Sequence, residues 1–353
     1  MKHARHLMGA LATKFVLLIF FLASTVSLTS CQTDFQFLTA SEPLPTLVPT
    51  LEILPNPPTP QLAPTLIIET ATPTSTSTAV PPTLTPTNTA TPTQTPTASY
   101  QLTLDAAQPQ GYLSQFRLVA FYGSPTGPGL GILGELPRQQ MHQRLLATIA
   151  EYEPFSDRPI LPTYHLVTTV ANPHPPYYYH RVDLELIERW VEEAKALETA
   201  VILDIQPGRG NIMAEFERLE HLLYEPHVHF AIDPEFVMNS WQVPLVNVGQ
   251  LHAAEINEIQ ARMNDIGAEI RLNRVLILHQ FKPSMLPDKT LIEDFPYVEI
   301  VIDSDGVGPA AAKIRNYTTY ATEPAFEFGG FKLFPTDGDY PVLTPAEVMN
   351  LEP

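Results

Sequence analysis

Short apolar runs rich in β-branched residues recur along the chain, and four of them stop abruptly at polar or acidic positions. Residues 201–204 (VILD) lead into QPGRG, 228–236 read VHFAIDPEF, 274–279 (RVLILH) lead into QF, and 298–303 (VEIVID) lead into SDGVG. Runs of this kind are expected of strands buried on both faces of a parallel sheet. Three more runs complete the set: 117–122 (RLVAFY), 159–170 (PILPTYHLVTTV, where Pro162 predicts a bulge or a late start) and 326–334 (FEFGGFKLF). Between them lie segments of helical period. Pro137 opens one to about Glu151, Asp183 caps one carrying Leu184, Ile187, Val191, Ala194 and Leu197, and residues 213–224 form the next up to Pro226. Residues 250–266 repeat through Leu251, Ala254, Ile256, Ile259 and Met263, and 344–351 form a short capped helix.

Seven strands alternating with helices predict an α/β fold: a (β/α)8-like TIM barrel, complete if the weak stretch 340–343 supplies an eighth strand and incomplete otherwise. The alternative is an open doubly wound parallel sheet. In either case ligands and catalytic groups collect at the carboxyl ends of the strands, where this chain places its acids. By period two, Ile202, Asp204 and Gln206 share one face, as do Asp303 and Asp305; Asp233 and Glu235 do so if extension persists past Pro234. Close carboxylates repel, which raises one pKa and leaves the other ionised, the division general acid–base work needs. The catalytic candidates are therefore Glu235, Asp233, Asp204 and Asp305. Candidate substrate contacts are Tyr122, Tyr178, Arg209, His279, Gln280, Asp303 and Lys332. Arg209 is placed to pair with an acid, Asp204 first, or with a ligand anion. The stretch 171–181 (ANPHPPYYYHR) joins stiff prolines to three tyrosines, either as platforms for sugar rings or as a cover over apolar surface. Residues 123–135 (GSPTGPGLGILGE) form a glycine-rich loop without the Gly-Lys-Ser/Thr ending of a phosphate-binding loop.

The amino-terminal part reads differently. Lys2, His3, Arg5, His6 and Lys14 precede an apolar run, 15–26, too short for a comfortable membrane span and suited to an export signal. Leu28-Thr29-Ser30-Cys31 follows and resembles the lipobox of bacterial lipoproteins. The resemblance implies cleavage before Cys31, acylation of its sulfur and amino group, and a membrane partner through that anchor, on the extracytoplasmic face of the cell membrane. Each buried methylene contributes about 0.8 kcal/mol, so two or three acyl chains hold durably. The expected organisation is a lipoprotein signal peptide at 1–30, a Pro/Thr-rich disordered tether at 31–105 and a single barrel-like domain at 106–353. Proline cannot join a ladder and few large apolar residues offset its ordering, so the tether is expected to be extended. At about 3.1 Å per residue, roughly sixty such residues reach on the order of 180 Å.

Composition narrows the chemistry. A formal charge of −18 and a pI near 4.9 exclude a nucleic-acid partner, which needs a basic footprint. Cys31 is the one cysteine, so no intramolecular disulfide, thiolate metal site or cysteine nucleophile exists. No compact ligand motif such as HExxH is present, and no metal or other cofactor is assigned. The succession ILDIQPGR, AIDPEF, LILHQF and IDSDG resembles a set of uncharacterised exported bacterial proteins and lipoproteins with barrel-like domains, from which no activity follows. Asp233-Pro234-Glu235 also resembles the Asp-x-Glu strand ending of some barrel glycosidases. That resemblance implies Glu235 as acid with Asp233, Asp204 or Asp305 activating water or stabilising positive charge on the sugar. Lys332 stands where many such barrels keep a glutamate nucleophile, which speaks against a two-glutamate retaining mechanism. The leading expectation is a lipid-anchored, extracytoplasmic hydrolase of cell-wall or extracellular glycan. The alternatives are a metal-dependent hydrolase or phosphodiesterase built on Asp204, Asp233, Glu235, His279 and Asp303, and a non-catalytic ligand-binding barrel.

Overall fold

Seven strands form one curled parallel sheet in the computed structural model, which describes residues 111–351. The expected signal peptide, Cys31 and the tether lie outside the described residues. In chain order the elements are β1 (Arg117–Gly123), α1 (Arg138–Tyr152), β2 (Ile160–Ala171), β3 (Tyr179–Arg181), α2 (Leu184–Ala196), β4 (Ala200–Ile205), α3 (Ile212–Leu219) and β5 (Val228–Ile232). Then follow α4 (Ala253–Ile270), β6 (Arg274–Gln280), β7 (Val298–Ser304), α5 (Ala310–Tyr320), β8 (Phe328–Phe331) and α6 (Pro345–Met349). The sheet order is β1-β2-β4-β5-β6-β7-β8, with short β3 returning antiparallel on β2. This order never reverses, so the switch point of a doubly wound fold is missing. Right-handed crossovers then put every helix on one face. The result is a half-barrel.

Period-two alternation divides the apolar residues between two cores. Val119, Phe121, Leu166, Leu203, Phe230, Leu278 and Ile302 face outward and pack with Met141, Ile187, Phe216, Ile259 and Tyr317 from the helices. Leu118, Ala120, Val167, Ile202, Ala231, Ile277 and Val301 face inward and fill the concave side. The amino-terminal end of that concave side is plugged. Backbone N–H groups of Tyr112 and Leu113 both donate to Glu299 Oε2 at 2.9 Å, and the Tyr112 ring meets His229 edge-on at 4.2 Å.

Several expectations are corrected. Residues 340–343 form no strand; Tyr340 makes only an isolated bridge with Pro309, and Pro341 has no N–H to lend a ladder. β8 spans Phe328–Phe331 and not 326–334. The irregularity in β2 falls between Val167 and Thr169, not at Pro162. Extension does not persist past Pro234: residues Pro234–Phe236 turn as a 3-10 helix, capped by Asp233, whose Oδ1 accepts the Glu235 N–H at 3.1 Å. Helix α5 and strand β3 were not expected.

Candidate functional site

Inward-facing positions turn polar at the carboxyl ends of the strands. Tyr122 (β1), His165 (β2), Asp204 (β4), His279 (β6) and Asp303 (β7) project there, joined by Gln206, Asp233, Glu235, Asp305 and Lys332 from the turns just beyond. The four catalytic candidates thus converge on one end of the half-barrel, together with Tyr122, His279, Asp303 and Lys332.

His279 is the hub. Its Nδ1 lies 3.1 Å from Asp305 Oδ2 and 3.2 Å from Asp303 Oδ2, and its Nε2 lies 3.4 Å from Asp204 Oδ2. The His165 Nε2 reaches the same Asp204 oxygen at 3.0 Å. On the other side, Lys332 Nζ donates to Asp305 Oδ2 at 2.8 Å and sits 4.1 Å above the centre of the Tyr122 ring. Gln206 Nε2 donates to the Tyr122 hydroxyl at 3.1 Å and to Asp233 Oδ2 at 3.4 Å. A continuous polar net therefore crosses from β2 to the end of β8. The tight approach of β8 to β7 needs Gly330, since a Cβ there would stand 2.9 Å from Asp303 Oδ1.

Burial and charge split these groups into opposite protonation states. Burial alone would push Asp204 up, but the His279 charge and the bonds from both histidines hold it well below the usual carboxylate range. Asp305 is likewise raised by burial and lowered further by Lys332 and His279, so it stays ionised. Burial, reinforced by the charges of Glu235, Asp305 and Asp204, pushes Asp233 up to about 8 against the pull of His279. Burial and the Asp305 charge push Glu235 up to about 7. For His279, burial is outweighed by Asp204 and its bonds to the aspartates, and the ring is held protonated. His165 is lowered by burial to about 4 and stays neutral. Two cations, His279 and Lys332, thus balance two anions, Asp204 and Asp305, while burial raises the other three carboxyls of the net, Asp233, Glu235 and Asp303, towards their protonated forms.

Access is narrow. His165, Asp204, His279 and Asp303 are fully enclosed, Asp233, Asp305 and Lys332 are buried, and only Glu235 among the acids is half-buried. Asp204 consequently cannot touch a substrate; it holds two rings. A cavity of about 280 Å³ lies elsewhere, at the amino-terminal end of the strands between Tyr112, Leu161, Thr199 and His227.

Three expected contacts fall outside the net. Arg209 does not pair with Asp204: its Nε donates to the Gln242 carbonyl at 2.9 Å and its guanidinium stacks 3.9 Å over the Tyr178 ring. Tyr178 is thereby a pin under the loop. Gln280 follows inward-facing His279, so alternation turns it to the convex side, where its Nε2 donates to the Lys282 carbonyl. His165 was missed, although its inward register with Thr163 and Val167 was readable.

Two groups bring potential metal-ligand atoms within 4.8 Å of one another: His165, Asp204 and His279, and His279, Asp303 and Asp305. Both ring nitrogens of His279 already face carboxylates, so a cation in either group would have to displace a ring proton. Comparison with protein-family models finds no match to this chain, and comparison with curated proteins finds none either.

Proposed function

We propose that the chain is an exported, lipid-anchored hydrolase of cell-wall or extracellular glycan, working at the carboxyl end of an incomplete (β/α)8 barrel. One observation carries the reading: Glu235, the half-buried acid at the lip, shares the carboxyl end of the half-barrel with Asp305, whose carboxylate is held by Lys332 and His279, and burial together with the Asp305 charge pushes Glu235 up to about 7. Glu235 is the proton donor to the leaving glycosidic oxygen. Asp305, held anionic by Lys332 and His279, draws a proton from water or faces the positive charge growing on the sugar. Charge stabilisation by Lys332 and His279 weakens Asp305 both as a nucleophile and as a base, and favours the role of facing the positive charge on the sugar. Asp204, His165 and Asp303 fix the His279 ring and do not meet substrate. Asp233 is the neutral neighbour that spares Glu235 a second nearby anion.

The test is release of reducing ends from a panel of cell-wall polysaccharides. Glu235→Gln, which keeps shape and loses the proton, should lower the rate at least about 100-fold. Activity untouched by that change overturns the assignment. A metal-dependent reading draws support from the His165–Asp204–His279 group, where Asp204 Oδ1 is buried without a hydrogen-bond partner. Dialysis against EDTA separates the two: loss of activity restored by a divalent cation favours the metal.

A further inference from the structure

Two loops, one following Glu235 in the chain and the other meeting that loop through Gly208 and Arg209, differ from the rest of this acidic chain. Residues 172–180 (NPHPPYYYH) and 238–250 (MNSWQVPLVNVGQ) contain no Asp, Glu, Lys or Arg, in a protein of net charge −18. They carry exposed rings instead: Tyr177 is 64% and Trp241 68% exposed, with Leu245 at 70% and Val246 at 76% beside the latter.

Arg209 fastens the two loops together. Its N–H donates to the Tyr177 carbonyl at 3.0 Å, its guanidinium stacks on Tyr178, and its Nε donates to the carbonyl of Gln242, the residue after Trp241. The second loop is stiffened from within. Gln242 accepts the Asn239 N–H and donates to the Val248 carbonyl, while Asn247 Oδ1 accepts the Val243 N–H. It also closes on the candidate acid, because Gly249 N–H donates to the Glu235 carbonyl at 2.7 Å and Gln250 N–H to that of Val237. The rings are thus displayed on braced backbone, contiguous with the lip of the polar net.

We propose that this shelf binds a neutral glycan chain, laid over the Tyr177 and Trp241 rings and running to Glu235. The proposal rests on the hydrolase reading for its direction but not for its binding. Aromatic faces meet the C–H faces of sugar rings, and the exposed Asn239 and Ser240 side chains suit hydroxyls. Fixed charge displayed on the loops would favour a charged polymer; the two loops carry none themselves, and Arg209, which joins them, is engaged by the Gln242 carbonyl and the Tyr178 ring. Braced loops lose little freedom on binding.

The experiment uses the full chain carrying Glu235→Gln, so that ligand survives, in affinity electrophoresis through gels containing cellulose derivatives, chitin derivatives, mixed-linkage glucan, mannan or polygalacturonate. At least one neutral polymer should retard it more than polygalacturonate. Trp241→Ala and Tyr177→Ala should each weaken that binding about tenfold, with the melting temperature unchanged because both rings are exposed. Cleavage of a glycan without any loss of affinity in these variants overturns the shelf and leaves the hydrolase reading standing. Binding that depends on the rings but never leads to cleavage by the wild type keeps the shelf and removes the hydrolase reading. Tighter binding of polygalacturonate, or a dimer in sedimentation that Trp241→Ala dissolves, overturns the proposal in favour of another occupant.

Discussion

At the scale of single residues, the protein keeps two carboxyls protonated by burying them among charges that would repel their anions. That arrangement has a consequence for stability. Asp233, pushed up to about 8, and Glu235, pushed up to about 7, bind protons in the folded state that the unfolded chain releases above roughly pH 4. His279, raised above its ordinary value, contributes in the same direction. Stability should therefore fall as pH rises from about 6.5 towards 8, where the unfolded state binds fewer protons at these groups; between about pH 4 and 6.5 the buried histidines with lowered pKa, His165, His227 and His229, charge on unfolding and oppose the trend. Asp204 and Asp305 have the opposite sign, and their contribution is lost on acidification below about pH 4. Asp233→Asn, neutral at every pH, should flatten the alkaline decline, retaining at least about 3 °C of melting temperature at pH 8 relative to wild type. A decline identical in the two proteins would place the proton elsewhere. Catalysis has its own signature: the rate should fall as pH rises through about 7, where Glu235 loses its proton. A pH profile of glycan cleavage flat from 6 to 8.5 would contradict that role.

At the scale of elements, most strands were legible because their residues are apolar on both faces and only their ends are polar. The acids of β4 and β7 could be placed on one face by counting in twos. Asp233 and Glu235 could not, because Pro234 replaces extension with a tight turn, and their convergence comes from the Asp233 cap instead. Helix α5 escaped notice since its buried face includes Lys313, a residue that breaks the apolar pattern and is held inside by Asp339 and the Lys332 carbonyl. β3 is pinned by a side chain rather than by pattern: Arg181 Nη2 donates to Glu215 Oε1 at 2.7 Å, and Thr169 Oγ1 donates to Glu215 Oε2 at 2.8 Å. The turn after β4 depends on Gly208, whose φ is +56° and whose Cβ, if present, would stand 2.6 Å from the Tyr178 carbonyl oxygen and 2.8 Å from that of Tyr177. Gly208→Ala should cost roughly 1–3 kcal/mol and lower the melting temperature by about 2–10 °C. An unchanged melting temperature would mean that the tyrosine loop moves aside without resistance.

At the scale of the whole molecule, the half-barrel keeps its helices on the convex face and spends its concave face on two layers, apolar below and polar above. The plug at Tyr112 and Leu113 closes the lower end, leaving the carboxyl end as the place where chemistry gathers. Among the described residues no helix is long and apolar enough to cross a membrane. The proposed attachment therefore rests on the sequence at Leu28-Thr29-Ser30-Cys31. Cys31→Ser should abolish labelling by radioactive palmitate and move the protein from the membrane fraction to the soluble one. Retention of the variant in washed membranes would refute the lipid anchor. The claim beneath all of this is that one buried net divides its carboxyls into protonated and ionised members. Titration by carbon-detected NMR of the full chain, labelled at Asp and Glu carboxyl carbons, reads that division directly. Asp233 and Glu235 should titrate near 8 and 7, with Asp204 and Asp305 ionised down to below pH 4; all four titrating together near pH 4 would contradict the account.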